Sequence, residues 1–288
     1  MKNYSDLIHI GTCSWKYPSW KGILYSNQVG KRYLSEYARH YNTVEVDQWF
    51  WSLFPGNKVV LPKPEVVAEY ISSVPESFKF SVKVPNAITL THHYSTHKKE
   101  SLIENPFFLS NEVFDTFLRL IHLMRDQLAA LIFQFGYLNK QKMPGQQIFQ
   151  ERLLTFFANC PPDIPYCIEI RNPNYLNQSY FNFLNASNLY HVFLQGYYMP
   201  SIFDLYGKYQ HFIQHFTLIR LLGPNRQGIE EKSQGIWNKL FEPKEEELDR
   251  LAKMMHDLMI KKIRLMVNVN NHYEGSAPLT IKRLLVRL

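Results

Sequence analysis

The chain has 288 residues, 45% hydrophobic, 15% aromatic and 20% charged, which supplies a sizeable core and excludes disordered, collagenous and coiled-coil classes. A formal charge of +7 and a pI near 9.1 favour an anionic partner, although the basic residues are scattered and form no dense run. Three cysteines (Cys13, Cys160, Cys167) with no Cys-x-x-Cys pair argue for a reducing compartment and against a zinc cluster or a disulfide framework.

The opening MKNYSDLIHI lacks the apolar stretch of a signal peptide, and no apolar run reaches the ~18 residues that span a bilayer. A cytoplasmic protein with no membrane partner is therefore expected. In chain order, β-rich runs are expected over residues 7–10, 43–47, 79–83, 129–134, 166–171, 191–195, 217–221 and 263–269. Helix-period spacing occupies 31–41, 113–125, 146–159 and 244–259, the last with Pro243 ahead of it and acidic residues in its first turn. Residues 279–287 read as a terminal helix. Strand alternating with helix eight times in under 300 residues predicts an α/β fold, a single TIM-type (β/α)8 barrel spanning 1–288 as one domain. A doubly wound open sheet is the competitor, but no Gly-x-Gly-x-x-Gly turn follows the first strand. Two connections exceed simple turns: 53–75, rich in proline, and 84–110, which carries His92, His93 and His97. Both are expected to fold over the barrel mouth.

In such barrels the C-terminal strand ends converge on one face, where chemistry is placed. Alternation puts Glu45 with Asp47, Glu169 with Arg171, and Asn268 with Asn270 on shared faces. Charged groups inside a barrel must be paired or neutralised. Glu45, Asp47, Lys83, Glu169 and Arg171 are accordingly the catalytic candidates, with Glu169 or Glu45 as general acid/base and one of Glu45 and Asp47 raised in pKa by the other. Trp15, Tyr17, Gln134, Arg220, Asn270, Asn271 and His272 are the candidates for substrate binding. Gly223 and Arg226 after the seventh strand, and Gly275 and Ser276 before the last helix, form a candidate anion site. Bland readings stand beside these: Glu169–Arg171 as a structural ion pair, Lys83 as a rim cap, Trp15, Tyr17 and Trp20 as core. The third-loop histidines have only approximate ligand spacing and no metal site is assigned to them.

Six segments in order resemble the YecE-like family, a TIM-barrel domain of unknown function (family 72). They are GTCSWKYPSWKGILY, YNTVEVD, FKFSVKVPNAIT, LIFQF, CIEIRNPNYL and, closest, NNHYEGSAP. Four departures fall at the mouth. Ser14 stands where the family usually has glycine, Gln48-Trp49 replaces a small hydroxyl pair, the Pro-Pro after Phe-Gln is missing, and Leu222 occupies the place of a frequent histidine. The resemblance implies a barrel but no settled reaction, so function is read from the site. The first reading is an enzyme of acid/base type, a hydrolase, lyase or isomerase, acting on a small polar, phosphorylated or sugar-like substrate. The second is a metal-dependent phosphodiesterase acting on DNA, with Glu45, Asp47, Glu169 and His272 holding a divalent metal. The third is a non-catalytic module binding nucleic acid or a metabolite. The oligomeric state is not fixed by the sequence.

Overall fold

The computed structural model describes residues 7–30, 32–94 and 102–288; His97 lies outside the described residues. Eight parallel strands form one sheet: β1 (Ile8–Thr12), β2 (Thr43–Val46), β3 (Lys79–Lys83), β4 (Leu128–Phe135), β5 (Tyr166–Ile170), β6 (Tyr190–Gly196), β7 (Phe216–Gly223) and β8 (Arg264–Val269). Their order, β1-β8-β7-β6-β5-β4-β3-β2, wraps into a nearly closed barrel with helices between the strands. The strands read as near-continuous apolar runs because both faces are covered, one by helices and one by the barrel interior. β4, LAALIFQF, is the plainest case, buried from Ala130 to Phe135.

Seven junctions are ladders; the eighth, between β1 and β2, is not. There the strands meet at one bridge, Cys13 with Glu45. Lower down, the buried Tyr37 hydroxyl takes the missing place, accepting from Thr12 N at 2.8 Å and donating to the Thr43 carbonyl at 2.9 Å. A phenol thus satisfies backbone groups that would otherwise be orphaned at the seam. Gly11 permits the approach, since a Cβ there would sit 2.1 Å from the Thr43 carbonyl oxygen.

The helix expected over 31–41 is a short one, Tyr33–Tyr37, with no side-chain cap at Arg32 and with its last residue drawn into the seam. The one expected over 113–125 begins earlier, at Asn111, because Ser110 caps Val113 N, and it ends at Leu120 before a 3-10 turn. Helices at Gln178–Ala186 and Ile202–Tyr209 complete the outer layer. Residues 53–75 hold a small hairpin (Leu53–Phe54 with Lys58–Val59) and the helix Pro64–Ser72, while the described part of 84–110 includes the helical turn Asn86–Thr89. Asn86 joins the two loops: its Oδ1 accepts from Ser52 N, Ser52 Oγ and Leu53 N at 2.9, 3.0 and 2.9 Å.

Candidate functional site

Inside the barrel, side chains change from apolar to polar halfway up. Ala130, Ile132, Cys167, Val192, Leu218 and Met266 form an apolar floor. Two residues further along four of these strands, where the side chain returns to the interior, stand Gln134, Glu169, Arg220 and Asn268. Glu45 and Ser81, paired across β2 and β3, complete this level.

Arg220 organises it. Its Nε and Nη2 donate to Glu45 Oε2 and Oε1 at 2.8 and 2.7 Å, a bidentate fork. Its Nη1 is shared between Glu169 and Gln134 Oε1, the latter at 3.2 Å. Asn268 Nδ2 bridges Glu45 Oε2 at 3.0 Å and Ser81 Oγ at 2.9 Å. From above, Arg171 donates to Glu169 Oε1 at 3.1 and 3.0 Å. Glu45, Glu169, Asn268 and Ser81 are fully buried. Burial alone would push the Glu169 carboxyl up, but Arg220, Arg171 and Lys83 outweigh it and hold it at about 2. Two carboxylates therefore face two guanidiniums, and the level carries no uncompensated charge. The Cys13 thiol lies 3.6 Å from Glu45 Oε2, and burial together with Glu45 keeps it protonated.

One step higher the balance changes. The register ends with Val46 beside Val82, and Asp47 and Lys83 are the next residues of the two strands, each within the other's electrostatic reach. Lys83 is buried, and its Nζ sits 3.8 Å from the centroid of the Phe50 ring. Among the described residues no ion pair or hydrogen bond holds that ammonium. Burial and Arg220 lower its pKa to about 8, against the pull of Glu45, Glu169 and Asp47. Asp47 is half-buried, and burial and then Glu45 raise its carboxyl above the ordinary range. Tyr17, half-buried, borders this pair, its phenol pushed up by burial and by Asp47. Trp15 is buried edge-on against Tyr70, which also stacks on Trp49. Ser14, which turns the chain between β1 and Trp15, has a φ of 62°, a left-handed conformation that suits glycine.

The loops after β7 and β8 are built differently. Gly223 has a φ of 78°, and a Cβ on it would meet the His272 carbonyl oxygen at 2.4 Å, so glycine there lets two backbones touch. Exposed Arg226 pairs with Glu230 at 2.8 Å, and His272 Nε2 lies 2.9 Å from the same carboxylate and edge-on to Trp237. Asn270 Oδ1 accepts from His272 N at 2.9 Å, and Asn271 Oδ1 accepts from Ala277 N at 2.9 Å at the start of the helix Ala277–Leu285. Gly275 and Ser276 are buried, Gly275 lying against the backbone of residues 239–241. Glu274, fully buried, accepts from Lys244 N and Arg283.

Glu45, Asp47, Lys83, Gln134, Glu169, Arg171 and Arg220 are thus gathered in two adjoining levels, with Tyr17 at their edge. Asn271, His272, Gly275 and Ser276 are not among them; their contacts join the eighth strand to the last helix and to residues 230–241. His272, held by Glu230, stands apart from Glu45, Asp47 and Glu169, and the described residues contain no group of three or more His, Cys, Asp or Glu side chains able to hold a metal ion. His92 Nδ1 faces Thr91 Oγ1 at 3.0 Å and His93 Nε2 faces Asn57 Oδ1 at 2.9 Å. A cavity of about 730 Å³ opens at the opposite end of the barrel, beside His215, Lys261 and Lys262. The Lys261 ammonium there is already held by Asp257 at 2.6 Å.

Comparison with known proteins gives this arrangement a family. The profile described as "Protein of unknown function DUF72" matches residues 9–288. The chain belongs to the DUF72 family. The UPF0759 protein YecE of Escherichia coli K12 is 25% identical over 169 residues, 59% of this chain and 50% of its own length. The chain thus spans about half the length of the curated relative that it matches. A DUF72 family protein from Enterococcus faecalis superposes with a TM-score of 0.65 at 21% identity, covering 97% of this chain and 95% of that one. A DUF72 family protein from Thermotoga maritima gives 0.64 at 16%, with 97% of both chains covered. A psychrophilic glycoside hydrolase family 10 endo-β-1,4-xylanase, at 0.52 and 11% identity over 97% of both, shares the barrel. These likenesses establish the fold. Among the described residues no helix is long and apolar enough to cross a membrane.

Sequence reasoning omitted Ser81, although it precedes Lys83 by two residues on the same face. It also passed over Trp51, Tyr94 and Tyr197, whose loop positions give no periodic signal. Leu222 joins Cys13 and Leu194 in an apolar patch beside the polar levels.

Proposed function

We propose that this DUF72 protein is an enzyme that works by acid–base chemistry on a small polar substrate carrying an anionic group, bound at the C-terminal mouth of the barrel. One observation carries the reading: among the described residues neither Lys83 nor Asp47 has an ion-pair partner, and both follow directly on a level in which every charge is matched. A buried lysine near pH 8 exchanges its proton at little cost at neutral pH, and a carboxyl raised by burial is its natural counterpart. Glu45 and Glu169, committed to Arg220, hold the cations in place and leave proton transfer to the upper pair. Lys83 and Arg171 supply the positive field that draws an anion and opposes negative charge as it develops.

The test is solvent exchange. Incubated in D2O with a panel of hydroxy acids and sugar phosphates and followed by NMR, the wild-type chain should deuterate a carbon-bound proton or release product from at least one compound. Lys83→Met and Asp47→Asn should each reduce that rate by about 10²-fold or more while remaining folded. A wild-type chain inert on the whole panel, or variants as active as wild type, overturns the proposal. The metal-dependent reading receives no support, because Glu45 and Glu169 are committed to Arg220 and His272 to Glu230, and no metal-holding group occurs among the described residues.

A further inference from the structure

Above Lys83 the rim carries a run of aromatic rings. Phe50 lies under the ammonium, Trp51 meets Phe50 at a centroid distance of 5.3 Å, and Tyr94 meets Trp51 at 5.4 Å. Trp51 and Tyr94 are 61% and 59% exposed, where large rings are usually covered on at least one face. Looseness does not explain the exposure. Asn86 N donates to the Phe50 carbonyl at 2.7 Å, the Asn86 side chain fixes Ser52 and Leu53, and His93 reaches Asn57 at 2.9 Å. Both rings project from a pinned frame. On the far side Arg171 lies 4.8 Å over the Tyr197 ring, and Tyr94 is within the field of the same guanidinium. Cations and rings are therefore paired at this rim, Lys83 with Phe50 and Arg171 with Tyr197.

We propose that the substrate carries its anionic group on a flat unsaturated ring, the anion meeting Lys83 and Arg171 and the ring lying against Trp51 and Tyr94. This rests on the reading of the mouth as an anion-accepting site and narrows its substrate class. A saturated ring of equal size has the same bulk but no π face, so the two should separate. Ring stacking on an aromatic side chain is worth about 5- to 150-fold in affinity.

The experiment titrates the full chain at pH 7 with inorganic phosphate, phenyl phosphate and cyclohexyl phosphate, by calorimetry and by tryptophan fluorescence. Phenyl phosphate should bind about tenfold tighter than either of the others and quench the fluorescence. Trp51→Ala should bring that preference to within about twofold and leave inorganic phosphate binding unchanged; its exposed position keeps the melting temperature at the wild-type value. Equal binding of phenyl and cyclohexyl phosphate by wild type, or a preference that survives in the Trp51→Ala, Tyr94→Ala double variant, overturns the ring assignment. Lys83→Met should weaken all three ligands. If inorganic phosphate does not bind, or binds equally to wild type and Lys83→Met, the anion-accepting mouth itself is wrong, whatever the rings do.

Discussion

Two adjoining levels of the barrel interior use the same residue types to opposite ends. Around Arg220 every charged atom has a partner, and the side chains are spent on one another. One step up, Lys83 is buried and Asp47 half-buried with no ion-pair partner among the described residues, and their proton affinities move toward neutrality. The lower level resembles a buried ion-pair network, which contributes little net stability yet is costly to break. The upper level stores unfavourable electrostatics that a bound ligand would relieve. The contrast teaches that a cluster of charges in a barrel does not mark a working site by its presence. What distinguishes the two is whether the partners are already taken.

The comparison breaks first at Arg220. Arg220→Met removes the partner of two buried carboxylates and should cost about 3–5 kcal/mol, lowering the melting temperature by roughly 6–20 °C or preventing accumulation of folded protein. A variant melting within a degree or two of wild type would mean that the lower level is not held by charge.

A medium effect sharpens the contrast through pH. Glu169 ionises near 2 when folded against 4.5 ordinarily, so its stabilisation is full above pH 4.5 and is lost as pH falls toward 2. Lys83 loses its proton near 8 when folded against 10.5 ordinarily, so the unfolded chain binds the extra proton between those values and stability rises with pH across that window. Glu169→Gln should lower stability at neutral pH and flatten the acid limb of urea-unfolding curves. Lys83→Met should raise stability at pH 7 and lose that advantage by about pH 10. Variants that shift the same limb would show that the levels do not differ as described.

The smallest effect tests the frame around the upper level. Ser14→Gly relieves the left-handed strain at the turn after β1 and should stabilise the chain by about 0.5–1 kcal/mol. A loss of stability would indicate that the serine is held there by something other than tolerance.

Much of this was legible in the sequence. Eight apolar runs with intervening helix-period segments dictated the parallel barrel, because strands covered on both faces must be apolar and their crossovers must be long. Alternation along each strand placed Glu45 with Asp47 and Glu169 with Arg171 on interior faces, since a period of two is a property of the extended chain itself. The NNHYEGSAP segment shows the limit. Its amides and imidazole attract attention by type, yet Asn270 turns its own loop, Asn271 caps the last helix and His272 joins Glu230, contacts made with residues up to 42 positions away.

The sequence alone determined which residues face inward and in what order the strands follow, because both depend on local backbone geometry. Only the tertiary structure decided which inward charges are satisfied and which are left over. Pairing Arg220 with Glu45 spans 175 residues, and that choice depends on barrel closure, stagger between strands and the reach of each side chain, none of which is encoded within a single segment.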